Sequence, residues 1–155
     1  MIGILGLVRM EWSSWLLRNR RTLGLVSTVA AIGWMGLIFF FSSLSGENIT
    51  RQLESVTVSW VENWQSYGGH VVIYAFLGAL LQTAVWGRDR RTDIRPLFCV
   101  VVVSTIYAIS DEFHQSFVDG RSAAIEDGIV DSASAAVSAV ALRVVLPSRS
   151  LSEGH

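Results

Sequence analysis

The chain has 155 residues, of which 51% are apolar and only 16% charged, with a mean hydropathy of +0.45 and a formal net charge of -1. A soluble domain usually carries about 25% charge, so the composition excludes an ordinary water-facing surface and points to a single integral membrane domain. Net charge near zero excludes the broad basic face of a nucleic-acid binder, and the lone Cys99 provides neither a disulfide partner nor a CxxC metal pair.

Residues 1–21, MIGILGLVRMEWSSWLLRNRR, set Ile2, Leu5, Trp12, Trp15 and Leu16 ahead of a basic cluster, as in a helix lying at the inner membrane surface. Leu23 to Phe41 follows as 19 residues without charge or proline. At 1.5 Å per residue this run reaches about 28 Å, enough to cross the hydrocarbon layer. A cleaved signal peptide would have a shorter apolar stretch ending in small residues, whereas this one ends in Phe39, Phe40 and Phe41. In the connection from Ser42 to Gly68, Val56, Trp60, Val61 and Trp64 recur at helical spacing, which predicts a short amphipathic helix at the outer interface.

Gly69 to Trp86 is the second span. The third begins after Pro96 and meets Asp111 and Glu112 after 14 residues. That length covers only about 21 Å, so the helix is expected to continue through His114 and Gln115 at membrane depth. Ile125 to Leu146 is the fourth span, and its Ser134, Ala135, Ser138 and Ala139 suit close helix packing. Before it, Asp119-Gly120 is a turn signal and Ser122 a candidate N-cap. The expected architecture is all-α: an N-terminal segment over 1–21, a four-helix membrane domain over 22–146 and a solvated tail over 147–155.

Orientation follows from arginine, since Lys is absent. Ten of the 12 basic residues flank the N-terminus, the second connection and the C-terminal end, leaving only Arg51 and Arg121 elsewhere. The positive-inside rule then puts both termini in the cytoplasm.

Ionisable groups inside a span cost about 2.5 to 3.5 kcal/mol each on insertion scales, so they turn toward the protein interior. The second helix offers His70 and Tyr74, the third Ser104, Tyr107, Asp111 and His114 with Glu112 and Gln115 beside them, and the fourth Asp127, Asp131, Ser134 and Ser138. With the termini inside, these stripes and Arg121 are expected to meet as one cluster in the outer half of the membrane. Arg121 is suited either to an ion pair between the third and fourth helices or to a bidentate grip on a phosphate or carboxylate.

FFFSSLSG at 39–46, His70 with Tyr74, DEFHQ at 111–115, DGR at 119–121, and Asp127 followed by a polar residue at 131 together resemble the VanZ family of small bacterial membrane proteins. The likeness runs from about Ile38 to Val140. It departs where that family commonly has Asp-Lys before the histidine, here Gly68 and Gly69, and Asn at the last polar site, here Asp131. The resemblance implies a place in the cell envelope, a link to low-level teicoplanin resistance, and motif positions at His70, Tyr74, Asp111, Glu112, His114, Gln115, Arg121 and Asp127.

Three readings of the cluster compete. It is a binding site for an envelope lipid headgroup or a lipophilic glycopeptide, with His70, Tyr74, Asp111, Glu112, His114, Gln115, Arg121, Asp127 and Asp131 as contacts. It is instead the centre of a membrane-embedded hydrolase or transferase, with His70, Asp111, Glu112, His114 and Asp127 as candidate catalytic groups, or a structural network without ligand. A metal sphere of Asp111 and His114 completed by His70 and Asp127 is a weaker version, because no HExxH or GxSxG motif sharpens it, and no metal ligand is assigned. Whether the chain is an enzyme, which cofactor it takes and how many copies assemble stay open at this stage.

Overall fold

The computed structural model describes residues 4–44, 67–88, 94–120 and 124–147, with side chains described from residue 11 in the first segment and from residue 68 in the second. Among the described residues there are four helices: α1 over Ile4–Ser42, α2 over Tyr67–Arg88, α3 over Arg95–Gln115 and α4 over Ile125–Val145. Each is long and apolar enough to cross a membrane. The expected interfacial helix with Trp60 and Trp64, the Ser122 cap, Arg121 and the tail beyond residue 147 lie outside the described residues.

The expected N-terminal segment is helical and continues without a break into the first span, giving one helix of 39 residues. Its length of about 58 Å is nearly twice the hydrocarbon thickness, so its first turns extend past the membrane. Trp12 and Trp15 sit there, largely exposed and edge to face at 6.0 Å. Nothing between them and Leu23 breaks a helix, for that stretch contains neither proline nor glycine. The third helix continues past Asp111 and ends at Gln115, as its length requires. Proline at its second position, Pro96, costs no hydrogen bond because a first-turn N–H has no partner within the helix.

The helices alternate in direction, and α2 occupies the centre, packing against α1, α3 and α4, while α4 also packs on α3. What is inside and what is outside is inverted relative to a soluble protein. The outer surface carries Leu25, Val29, Ile32, Phe40, Val72, Phe98, Ile106, Ile129 and Val137, whereas Ala108, Ala135, Ala139, Ser104, Gln82, Asp111 and Asp131 are buried. With lipid as the surrounding medium, large apolar groups gain nothing by turning inward, and close approach of helices through small residues takes over as the packing force. Cys99 is exposed on this apolar exterior.

Two contacts show how close the helices come. A Cβ added to Gly78 on α2 would collide with the backbone of Ala135 on α4. At the opposite end of α2, a Cβ on Gly24 would lie 2.6 Å from the Cα of Gly87, and Gly87 itself faces the Arg20 carbonyl. Gly33 and Gly36, by contrast, have open space around them. Gly78→Val should therefore separate α2 from α4 and cost at least about 1 to 3 kcal/mol, read as a lower unfolding temperature in detergent, while Gly33→Val leaves that temperature unchanged.

Candidate functional site

The C-terminal ends of α1 and α3 and the N-terminal ends of α2 and α4 meet at one end of the bundle, and the polar side chains gather there. Arg20, Arg21, Arg88 and Arg143 are at the other end, with Gly24 and Gly87. Three layers can be distinguished within the polar end.

The first joins α2 to α4. His70 Nδ1 lies 3.1 Å from both Asp131 carboxylate oxygens, and Asp131 has 0% of its surface exposed. The imidazole is the half-open partner, 15% exposed. The second layer joins α2 to α3 and α1. Tyr74 donates its hydroxyl hydrogen to Asp111 Oδ2 at 3.3 Å, and the Gln115 amide donates to the same oxygen at 3.1 Å and to Ser42 Oγ at 3.4 Å. Tyr74, Asp111, Gln115 and Ser42 are all buried. The third layer ties α3 to α4: Glu112 Oε2 accepts the Ala124 N–H at 3.1 Å. Ala124 is the residue preceding α4 and has no side-chain cap of its own, and the carboxylate of Glu112 serves this helix start.

Not every expected member of the cluster joins it. His114 is turned onto α1, where its ring stacks on Phe39 at 4.4 Å and its Nε2 lies 2.9 Å from Ser43 Oγ. The reason is helical geometry: at about 100° per residue, Glu112 and His114 diverge by roughly 160°, so one faces α4 and the other α1. Asp111 is bonded to Tyr74 and Gln115 while His114 reaches Ser43 and Phe39, and the grouping whose ligand atoms all lie within 4.8 Å of one another is His70, Glu112 and Asp131. Asp127 is half-buried in the first turn of α4, one turn before Asp131. Tyr107 is a packing residue whose hydroxyl donates to the Met35 carbonyl at 2.5 Å, and Ser104 is satisfied by the Val100 and Val101 carbonyls of its own helix.

A cleft of about 80 Å³ opens beside these layers between α1, α2 and α3. Its walls are Trp34, Leu37, Ile38, Phe41 and Ile73, and its polar groups come from His70, Tyr74, Asp111, Gln115 and Ser42. Trp34 and Ser42 were not singled out as site residues from the sequence. The available signals were an indole in the middle of a span, which must find an acceptor, and hydroxyls directly after three phenylalanines. In the structure the Trp34 N–H donates to the Ile73 carbonyl at 3.1 Å, which fixes the ring as a cleft wall.

Fold and site together define a multi-pass membrane protein with a buried polar cluster at one end of its bundle. Residues 27–146 match the family model VanZ/LLP1. The chain belongs to that family, and the match covers all four spans from the upper part of α1 to the end of α4. No curated protein and no solved structure matches it.

The two histidines differ in what their removal leaves behind. His70→Ala strands the fully buried Asp131 carboxylate and should destabilise the protein by about 3 to 5 kcal/mol. His114→Ala removes a contact to the exposed Ser43 hydroxyl, which keeps its bond to the Phe39 carbonyl, and should cost about 1 kcal/mol or less. Thermal unfolding of the two variants in the same detergent checks the order.

Proposed function

We propose that this chain binds the headgroup of an amphiphilic envelope molecule, an envelope lipid or a lipophilic glycopeptide, in the cleft between α1, α2 and α3, with that cleft facing the outside of a bacterial inner membrane. The observation that carries the reading is the composition of the cleft, where aromatic and aliphatic walls adjoin a polar patch of His70, Tyr74, Asp111 and Gln115. An amphiphile has the same division between an apolar body and a polar head. The volume of about 80 Å³ takes part of a headgroup, while the remainder of such a molecule lies along the apolar exterior of α1 and α2, where Phe40 and Phe76 are exposed.

The arginine distribution supports the outward orientation, since Arg18, Arg20, Arg21, Arg88, Arg95 and Arg143 all belong to the end opposite the cleft. Arg121, in the connection between α3 and α4, is assigned the anionic part of the ligand, because a guanidinium matches phosphate and carboxylate geometry. Family membership supports the envelope setting, and the resemblance that links VanZ proteins to teicoplanin resistance makes glycopeptide tolerance the cellular readout. A second reading, a hydrolase or transferase acting on the bound lipid, draws on the His70–Asp131 pair, in which a buried carboxylate orients an imidazole as a general base requires.

The test is to purify the protein in nanodiscs made from bacterial envelope lipids and to crosslink it with a photoactivatable phospholipid. Tyr74→Phe and Arg121→Ala should each lower crosslinking at least about fivefold, a loss near 1 kcal/mol, with the amount of folded protein unchanged. Crosslinking at the wild-type level in both variants contradicts the proposal. Turnover of the lipid by wild type but not by His70→Gln decides for the second reading.

A further inference from the structure

We infer that His70 of α2, Glu112 of α3 and Asp131 of α4 form a binding site for one divalent transition-metal ion of the zinc type. The three side chains come from three different helices, and their ligand atoms lie within 4.8 Å of one another. Around a four-coordinate zinc with bonds near 2.0 to 2.2 Å, ligand atoms stand roughly 3.3 to 3.6 Å apart, a spacing that small side-chain rotations reach from here. One imidazole nitrogen and two carboxylate oxygens are the donors this class of ion prefers, and three protein ligands leave a fourth position for water or another oxygen.

Proximity alone would not make a site, and Glu112 supplies the independent observation. Its side chain is only 8% exposed, its Oε2 is engaged by the Ala124 N–H, and its Oε1 is buried with no hydrogen-bond partner among the described residues. An acceptor left empty away from water costs about 1 to 3 kcal/mol, more when charged, and a cation shared with Asp131 removes that cost. Charge points the same way. Within the trio, a protonated His70 can offset only one of two carboxylates, whereas a divalent ion with a neutral imidazole offsets both. The Ala124 N–H on Glu112 holds that ligand in place from behind, as outer-shell hydrogen bonds do at metal centres.

Binding is an exchange of cations. The proton between His70 Nδ1 and the Asp131 carboxylate is displaced, to solvent from an imidazolium or to Nε2 from the neutral ring, so that a neutral imidazole ligates through Nδ1 and the ion stands between the same atoms, now also reaching Glu112. His70 lines the cleft, whereas Glu112 and Asp131 are not among its lining residues. The assignment does not depend on which molecule fills the cleft, and it can be tested without one.

The full chain in detergent is stripped with a chelator, reloaded with Zn2+ or Co2+, desalted and assayed for metal content. Wild type should retain about one ion per chain, and Zn2+ should raise its unfolding temperature by mass action. Glu112→Gln and Asp131→Asn, which keep side-chain size, should weaken metal binding at least about tenfold, and His114→Ala should not. Should either carboxylate variant fail to fold, the ring 15N resonances of the wild type decide instead: Zn2+ shifts those of His70 and leaves those of His114 and His155 in place. A wild-type protein that retains no metal and shows no Zn2+-dependent change in unfolding overturns the inference. So does retention at wild-type level in folded Glu112→Gln and Asp131→Asn, which would mark adventitious binding.

Discussion

A carboxylate without exposed surface, placed in a helix that crosses a membrane, has few options, and the structure around Asp131 is built on the one it takes. His70 reaches it from α2 with a ring nitrogen 3.1 Å from both oxygens. Neither residue is tolerable alone at that depth, since each would carry an unmet polar group into a medium that cannot solvate it. Together they fix the rotation of α2 against α4, which brings Gly78 onto the Ala135 backbone on the same pair of helices. The polar contact determines which faces meet, and the small residues let them meet closely.

The other polar contacts extend this constraint to the remaining helices. Tyr74, one turn beyond His70, carries the link from α2 to Asp111 on α3, and Gln115 passes it to Ser42 at the end of α1. Glu112 closes the circuit by holding the start of α4. All four helices thus share one polar end where α2 and α4 begin, and the positive ends of those helices favour the carboxylates gathered there. At the other end the chain is held by the glycine contact between α1 and α2, and the arginines occupy the surface. The bundle has two chemically distinct ends.

Much of this was legible in the sequence because lipid imposes length. The four spans follow from apolar runs measured against the bilayer, and the early arrival of Asp111 and Glu112 in the third run forced acidic residues to membrane depth, where α3 carries them to Gln115. His70 with Tyr74 and Asp127 with Asp131 could be read as facing stripes from their spacing of four. His114 and Asp111 share one side of α3 by spacing, yet Asp111 bonds Tyr74 and Gln115 while His114 goes to Phe39 and Ser43, and only the position of α1 shows that division. Spacing within one helix also gave no sign that Glu112 would meet His70 and Asp131, since that depends on how three helices are rotated about one another. Trp34 and Ser42 enter the cleft for the same reason. Continuity of the N-terminal segment with the first span was hidden by the basic cluster at Arg18 to Arg21, which reads as a boundary between water and lipid but does not interrupt a helix.

The account rests on direct contact between His70 and Asp131 inside the membrane. Solid-state NMR of the wild-type protein in lipid bilayers, labelled with 15N-histidine and 13C-aspartate, measures that contact without any substitution, and the chain has only three histidines to resolve. The prediction is a through-space correlation between a His70 ring nitrogen and the Asp131 carboxyl carbon, at a separation below about 4 Å whether a proton or an ion lies between them. A His70 ring with no aspartate carboxyl carbon in range would contradict the account.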